Sequence, residues 1–165
     1  MAEGGCCGCG CAGRSGRYAA IDEGTIRRLV TQFYAKVRKD PLLGPVFEGA
    51  IGNWDGHLAK MVDFWATTTQ GAGRYSGNLM AAHLKLPDIG REHFARWLAL
   101  FTQEVDRLFE PGAGKPFMDV ATRLADRLQH AVVERDWSEL ARHQIEATGR
   151  VSGNVALALA KRDGP

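Results

Sequence analysis

The sequence predicts an all-α fold. Apolar residues recur every three or four positions in four long segments, which aligns their side chains on one face of an α-helix. No segment alternates apolar and polar residues at period two, as a half-buried strand does. Clusters of glycine and proline separate the segments. We therefore expect four main helices, with shorter helical pieces in the connectors.

The first predicted helix begins near Asp22 or Thr25, both of which are good N-cap residues. It ends at Lys39-Asp40-Pro41, where basic residues in the last turn precede a proline. The connector over residues 41–52 holds several glycines, prolines and apolar anchors, and has room for one or two helical turns. The second main helix is predicted from about Trp54 to Thr69.

A Gly-rich loop over residues 71–77 comes next. The apolar segment Asn78–Leu84 predicts a short helix, which Pro87 stops because proline cannot continue it. After the break at Pro87–Gly90, the third main helix, Arg91–Phe109, is strongly amphipathic.

Glu110–Gly114 ends that helix. The last long helix starts at Pro116, a favoured residue of the first turn, and is expected to run to about Trp137 or beyond. Residues 148–165 contain several glycines and show weak periodicity, so we expect a flexible tail. The predicted domain therefore spans residues 21–147.

All the cysteines lie in a Gly-rich leader, so no disulfide can cross-link the predicted core; they are Cys6, Cys7, Cys9 and Cys11. Two of them have the C-x-x-C spacing of soft-metal ligands, but structural zinc sites usually take two such pairs and this chain has one. Reversible acylation is another alternative. We interpret residues 1–20 as a disordered leader.

Length and charge exclude several classes of protein. A chain of 165 residues has the size of one domain with a real core. Its net charge is +2, with both signs mixed along the helices, so it has no footprint for nucleic acid. No apolar run approaches the roughly 20 residues of a membrane span, and no secretory signal opens the chain. We expect a cytoplasmic protein.

Two histidines are the candidate functional residues. His57 shares one helical face with Met61, Phe64 and Trp65, and His83 lies in the short helix after the Gly-rich loop. Two apolar faces that each present an imidazole can sandwich a flat metal-bearing ring, with one histidine on the metal and the other opposite it. The alternative is that both are half-buried histidines of an ordinary helical core.

Hydrogen-bonding aromatic groups on three helices favour a pocket. Tyr34, His57 and Trp97 interrupt otherwise apolar faces, and buried O–H or N–H groups need partners. If they face one point, they can hold a small polar ligand. The short segment around His83 suits a bundle poorly, because bundles use long helices with short turns, but it suits a large cofactor that replaces missing core.

Five motifs, in order, resemble the group III truncated haemoglobins. They are Phe33-Tyr34-Ala35-Lys36-Val37-Arg38-Lys39-Asp40-Pro41-Leu42-Leu43-Gly44-Pro45-Val46-Phe47, Trp54-x-x-His57-x-x-x-Met61-x-Asp63-Phe64-Trp65, Tyr75-x-Gly77, His83-Leu84-x-Leu86-Pro87 and His93-Phe94-x-x-Trp97-Leu98-x-Leu100-Phe101. The resemblance runs from about Ile21 to His143 and leaves out the leader and the tail. It implies a truncated globin fold, a two-over-two helical sandwich around haem b.

The same resemblance implies roles for individual residues. His83 would be the proximal iron ligand, and Tyr34 and Trp97 would donate hydrogen bonds to the distal ligand. His57 would lie at the position of the distal helix that holds a gating or ligand-contacting histidine. Further residues would pack against the ring, namely Phe47, Met61, Phe64 and Trp65. Three residues flanking the short helix can reach the haem propionates, with solvated loop residues as the alternative: Arg74, Tyr75 and Lys85. The remaining histidines are expected on the surface, namely His93, His130 and His143.

The favoured function is a haem protein that binds dioxygen, nitric oxide and carbon monoxide at a five-coordinate iron. Nitric oxide dioxygenation and peroxide-dependent oxidation are the candidate reactions, and a reductase is the expected electron donor. The alternative is a cofactor-free helical interaction module whose cysteine leader binds metal.

Overall fold

The computed structural model describes residues 16–86 and 89–133. These residues form six helices: α1 Glu23–Val37, α2 Leu43–Ala50, α3 Trp54–Gln70, α4 Leu79–His83, α5 Arg91–Leu108 and α6 Lys115–Val133. The all-α prediction is confirmed, and the helices begin and end close to the predicted residues. Several predictions lie outside the described residues, namely those on the cysteine leader, Pro87, Trp137, His143 and the tail over 148–165.

The long helices pack as two pairs. Helix α1 lies against α3, α5 lies against α6, and the pairs are joined through α1 with α5 and α3 with α6. The apolar stripe of α1, which includes Ile26, Leu29 and Phe33, is buried in the middle of this arrangement. This is the two-over-two sandwich predicted from the sequence. Among the described residues, no helix is long and apolar enough to cross a membrane.

Side-chain caps set where α1 and α3 begin. At α1, Asp22 Oδ1 accepts from the Thr25 backbone N–H at 2.8 Å, and Thr25 Oγ1 accepts from the Asp22 backbone N–H at 2.9 Å. At α3, Asn53 Oδ1 accepts from the Gly56 N–H at 3.0 Å. Each cap satisfies N–H groups that have no partner within the helix, and so stabilises its first turn.

Asp40 connects the start of α2 to α5. Its Oδ1 atom accepts from the backbone N–H groups of Leu42 and Leu43, each at 3.0 Å, and its Oδ2 atom accepts from Arg96 Nε at 2.7 Å. Burial alone raises the pKa of this carboxyl, but the hydrogen bonds from Leu43, Arg96 and Leu42 outweigh burial and hold the pKa below its usual value. The charged carboxylate therefore positions α2, which carries Phe47.

A second buried carboxylate joins α1 to α5. Glu104 is fully buried on α5 and pairs with Arg107 and, at 2.5 Å, with Lys36 of α1. Arg107 also donates to Gln32 of α1. A buried charge is tolerated only when it is paired, so this network holds α5 in register with α1.

The packed part of the chain begins before α1. The Tyr18 N–H donates to the Leu108 carbonyl at 2.7 Å, the Glu110 N–H donates to the Tyr18 carbonyl at 2.9 Å, and the Tyr18 ring lies 6.0 Å from the Phe109 ring. Tyr18 thus docks on the corner between α5 and α6, although it lies on the leader side of the boundary expected at residue 21.

Candidate haem site

His83, the last residue of α4, has the hydrogen bond that a metal-binding histidine needs. Its Nδ1 atom lies 2.8 Å from the Leu79 carbonyl oxygen, one turn earlier in the same helix. A carbonyl only accepts, so Nδ1 carries the proton and Nε2 is left with a free lone pair. Burial lowers the pKa of His83 and outweighs the Leu79 hydrogen bond, which raises it. The neutral ring is the form that binds iron.

Helix α4 and the helix before it make no close backbone contact. Helix α4 packs against α6, whereas the Cα atoms of α3 and α4 stay more than 8 Å apart. The loop that joins them is held to α3, because Thr67 Oγ1 accepts from the backbone N–H groups of Arg74 and Tyr75, each at 3.0 Å. Consecutive helices held apart in this way can flank a flat group.

His57, on α3, presents an unsatisfied nitrogen. Its Nε2 atom is buried and has no hydrogen-bond partner among the described residues. Such an atom costs roughly 1–3 kcal/mol unless something else pairs with it. The pKa of His57 is lowered by burial first and then by the charges of Lys60 and His83.

Tyr34 lies directly beside His57. Its ring centroid is 5.0 Å from that of His57, nearly perpendicular to it, and 5.9 Å from that of Phe47 on α2. Tyr34 is buried, with 5 % of its surface exposed, and burial raises the pKa of its hydroxyl well above the usual value. The phenol therefore stays protonated and remains a hydrogen-bond donor.

Trp97 enters from α5 in a stack of aromatic rings. Its ring lies 5.2 Å from Phe101 at an interplanar angle of 5°, and Phe101 in turn lies 4.8 Å from Trp65 at 14°. The Trp97 ring also meets Phe33, the neighbour of Tyr34, edge-on at 5.5 Å. The contacts with Phe101 and Phe33 restrict the direction of the Trp97 indole, as a rigid donor requires.

Trp65 is placed in the core rather than next to the two histidines. It is buried, and its ring packs on Phe101 and, at 5.5 Å, on Phe117 of α6. Phe64 and Met61, on the same helix, lie respectively within and at the edge of the core. A direct contact of these side chains with a haem ring stays a prediction.

Trp54 is a site residue that the sequence interpretation did not assign. It is the first residue of α3, and its ring lies 5.8 Å from His57 and 6.2 Å from Tyr34. The signal was present in the sequence, because Trp54 and His57 are three residues apart and so share a helix face.

The residues expected near propionates have other contacts here. Arg74 forms ion pairs with Glu23 of α1, at 3.0 Å, and Asp63 of α3, at 3.4 Å. Tyr75 packs on Phe64, with ring centroids 5.2 Å apart. Lys85 is exposed immediately after α4. The contact of all three residues with propionates stays a prediction.

The prediction of a surface position was wrong for His93. Its side chain is only 13 % exposed, and its Nδ1 atom accepts from the Gly90 N–H at 3.1 Å. The imidazole therefore serves the first turn of α5, where backbone N–H groups need acceptors. His130 is exposed, as expected.

Comparison with known proteins agrees with this geometry. Residues 18–134 match the family model of the bacterial-like globins. The chain is 35% identical, over 118 residues, to the group 3 truncated haemoglobin ctb of Campylobacter jejuni, covering 69% of this chain and 93% of that protein. It also resembles the crystal structure of a group III truncated haemoglobin from Campylobacter jejuni, with a TM-score of 0.67, 34% identity, and coverage of 70% of this chain and 94% of the other.

These matches span both the helical sandwich and the residues around α4. They favour the haem-binding interpretation over the cofactor-free helical module, because globins are haem proteins. The chain is a haem globin that belongs to the bacterial-like globin family and, within it, to the group III truncated haemoglobins.

Proposed function

We propose that the chain holds haem b between α3 and α4, with His83 as the axial ligand, and binds dioxygen and other diatomic ligands on the side of Tyr34, His57 and Trp97. The observation that carries the proposal is the bond from His83 Nδ1 to the Leu79 carbonyl, at 2.8 Å. Haem, when bound, supplies an iron that takes a diatomic ligand and exchanges electrons.

On the proximal side, the backbone of α4 determines how His83 binds. The Leu79 carbonyl accepts the Nδ1 proton, which orients the ring and increases the basicity of Nε2. Because the partner is a neutral carbonyl, this increase is moderate. His83 would hold the iron, and His57, which lies on another helix, would face the diatomic ligand.

On the distal side, Tyr34 and Trp97 stabilise negative charge on the ligand. Both are hydrogen-bond donors whose rings are held by aromatic packing. In a poorly solvated pocket such bonds are stronger than in water. Slow release of the ligand suits chemistry or scavenging better than delivery.

Several other side chains also fit a bound haem. The unsatisfied Nε2 atom of His57 gains a partner if a polar ligand lies beside it. Phe47, Met61 and Phe64 lie in or beside the core and would pack against the ring. Arg74 and Lys85 would supply positive charge for the propionates, and Arg74 would reach one only by exchanging Glu23 or Asp63 for it.

Two reactions fit such a site, namely nitric oxide dioxygenation and peroxide-dependent oxidation. Both need protonated, polar groups close to the ligand, which Tyr34 and Trp97 provide. The first also needs an electron donor after each turnover, so a reductase is the proposed partner. The cytoplasmic location stays a prediction.

Reconstitution with haemin tests the proposal. The full chain is titrated with haemin, and the ferric, ferrous and carbon monoxide forms are recorded, followed by nitric oxide consumption in the presence of dioxygen. We expect a one-to-one complex with a Soret band and ferrous spectra of a five-coordinate iron. A chain that binds no haem contradicts the proposal, and a six-coordinate ferrous form without added ligand contradicts the open distal site.

A further inference from the structure

Three side chains form a closed cluster at the corner where α1, α2 and α3 meet. Arg38 Nε donates to Glu48 Oε1 at 2.7 Å, and Trp54 Nε1 donates to Glu48 Oε2 at 3.3 Å. The Arg38 guanidinium also lies over the Trp54 ring, 4.5 Å from its centroid. We call Arg38, Glu48 and Trp54 the Trp54 clamp.

The clamp touches the distal side through one residue. The indole of Trp54 contacts Arg38 and Glu48, and it also lies edge-on to His57 and Tyr34. The His57 ring therefore contacts both the phenol, at 5.0 Å and 89°, and the indole, at 5.8 Å and 83°. A movement of the His57 ring changes its packing on Trp54.

We propose that the Trp54 clamp controls how fast ligands enter the distal side, because it holds the indole that limits the outward movement of His57. The inference rests on the proposed function and adds three positioning residues to it. Arg38 and Glu48 act through Trp54, and Trp54 acts on His57. None of the three needs to touch the ligand.

The contacts within the Trp54 clamp are weak enough to break and re-form. Arg38 and Glu48 are about half exposed, with side-chain exposures of 48% and 46%, so solvent weakens their ion pair. Cation–π contacts at exposed positions are also modest. Loss of the whole clamp should therefore raise the rate of ligand entry by about three- to tenfold. A larger increase in the rate of ligand entry would require Arg38 and Glu48 to be buried, and both are about half exposed.

Substitutions at Glu48 separate the contacts. Glu48→Ala removes both the ion pair and the acceptor of the indole N–H, whereas Glu48→Gln keeps an oxygen for the indole and loses the charge. Asp119→Ala is the matched control, because it removes another exposed ion pair, with Lys115 at 2.6 Å, on the outer face of α6. Each variant is made in the full chain and loaded with haem.

Carbon monoxide association after flash photolysis is the first measurement. We expect Glu48→Ala to associate about three to ten times faster than the unmodified chain, Glu48→Gln to lie between them, and Asp119→Ala to match the unmodified chain. Carbon monoxide release should change little in all of them. An unchanged or slower association in Glu48→Ala overturns the inference, as does an equal acceleration in Asp119→Ala.

The indole N–H of Trp54 provides a second measurement, which does not depend on ligand kinetics. Its proton–nitrogen resonance, followed in the haem-free and the carbon monoxide forms, should exchange with solvent faster in Glu48→Ala than in Glu48→Gln. An unchanged indole overturns the clamp even if the kinetics change. If the unmodified chain shows no Soret band, both the proposed function and this inference are wrong. If the unmodified chain binds haem normally but Glu48→Ala leaves the association rate unchanged, only this inference is wrong.

Discussion

His83 stands on a helix of five residues that buries none of them completely, whereas Tyr34 and His57 stand on helices of 15 and 17 residues with packed cores. The proximal imidazole is oriented by one backbone carbonyl, while the distal groups are held by aromatic rings from several helices. The two sides of the site therefore rest on very different amounts of protein structure.

Because the two sides differ in how much structure supports them, we expect each side to control a different property of the site. An isolated helix of five residues is unstable in water, so α4 depends on its packing against α6. The distal donors keep their geometry through the four-helix core. Changes on the proximal side should thus affect how much haem the chain holds, and changes on the distal side should affect how long a ligand stays.

The largest expected effect is on the proximal side. His83→Gly should weaken haem binding by more than about a hundredfold, since loss of a mere supporting contact of a metal ligand already costs ten- to a hundredfold. His57→Ala should keep haem. Transfer of haem to an apoglobin acceptor measures both variants, and equal losses in the two would indicate that both histidines bind the iron.

The next effect concerns release of the distal ligand. Tyr34→Phe and Trp97→Phe should each release dioxygen about ten- to a hundredfold faster, because a hydrogen bond to a partly charged acceptor is worth roughly 1.5–3 kcal/mol. His57→Ala should mainly change the association rate. Stopped-flow dissociation compares the three. Acceleration in His57→Ala alone would make the distal histidine the main donor.

Substitutions at the starts of α4 and α2 should have smaller effects, which again differ between the side of His83 and the side of Tyr34. Asn78 Oδ1 accepts from the Ala81 N–H at 2.9 Å and caps α4, whereas Asp40 caps α2 and binds Arg96. Asp40→Ala should lower the free energy of unfolding of the haem-free chain by about 1–2 kcal/mol. Asn78→Ala should leave that quantity nearly unchanged and speed haem loss by about fivefold. Urea unfolding and haem transfer separate the outcomes, and the reverse pattern would contradict the comparison.

The smallest effect is a pH dependence of the distal scaffold. Because the pKa of Asp40 is lowered in the folded chain, its contribution to stability is present above the pKa of an unfolded aspartate, about 3.9, and is lost as the pH falls through the lowered value. The difference in unfolding free energy between the unmodified chain and Asp40→Asn should be constant near neutral pH and shrink below about pH 4. A difference that grows on acidification would contradict this sign.

Local patterns explain how much of this the sequence could predict. Helical periodicity, caps and proline stops located the helices, and the resemblance around His83 predicts a proximal ligand that stays a prediction. Contacts between residues far apart in the chain could not be predicted, because they produce no local pattern in the sequence. The pairing of Arg74 with Glu23 and the clamp on Trp54 each depend on how α1, α2 and α3 meet.

His93 shows a different reason for failure. Its neighbours Arg91 and Glu92 are charged and exposed, which suggested a surface residue. The deciding factor was the backbone N–H of Gly90, which donates to the side chain three residues later, at position N3 of the helix. Hydrophobic patterns carry no information about backbone hydrogen bonds. In the sequence, a histidine that caps a helix therefore cannot be distinguished from one on the surface.

Resonance Raman spectroscopy of the ferrous chain without added ligand tests the central claim most directly, because the stretching band between iron and an axial imidazole reports the proximal ligand itself. We expect this band in the unmodified chain and in His57→Ala, no such band in His83→Gly, and its return when imidazole is added to His83→Gly. A band that persists in His83→Gly without imidazole would contradict the assignment of His83 as the iron ligand.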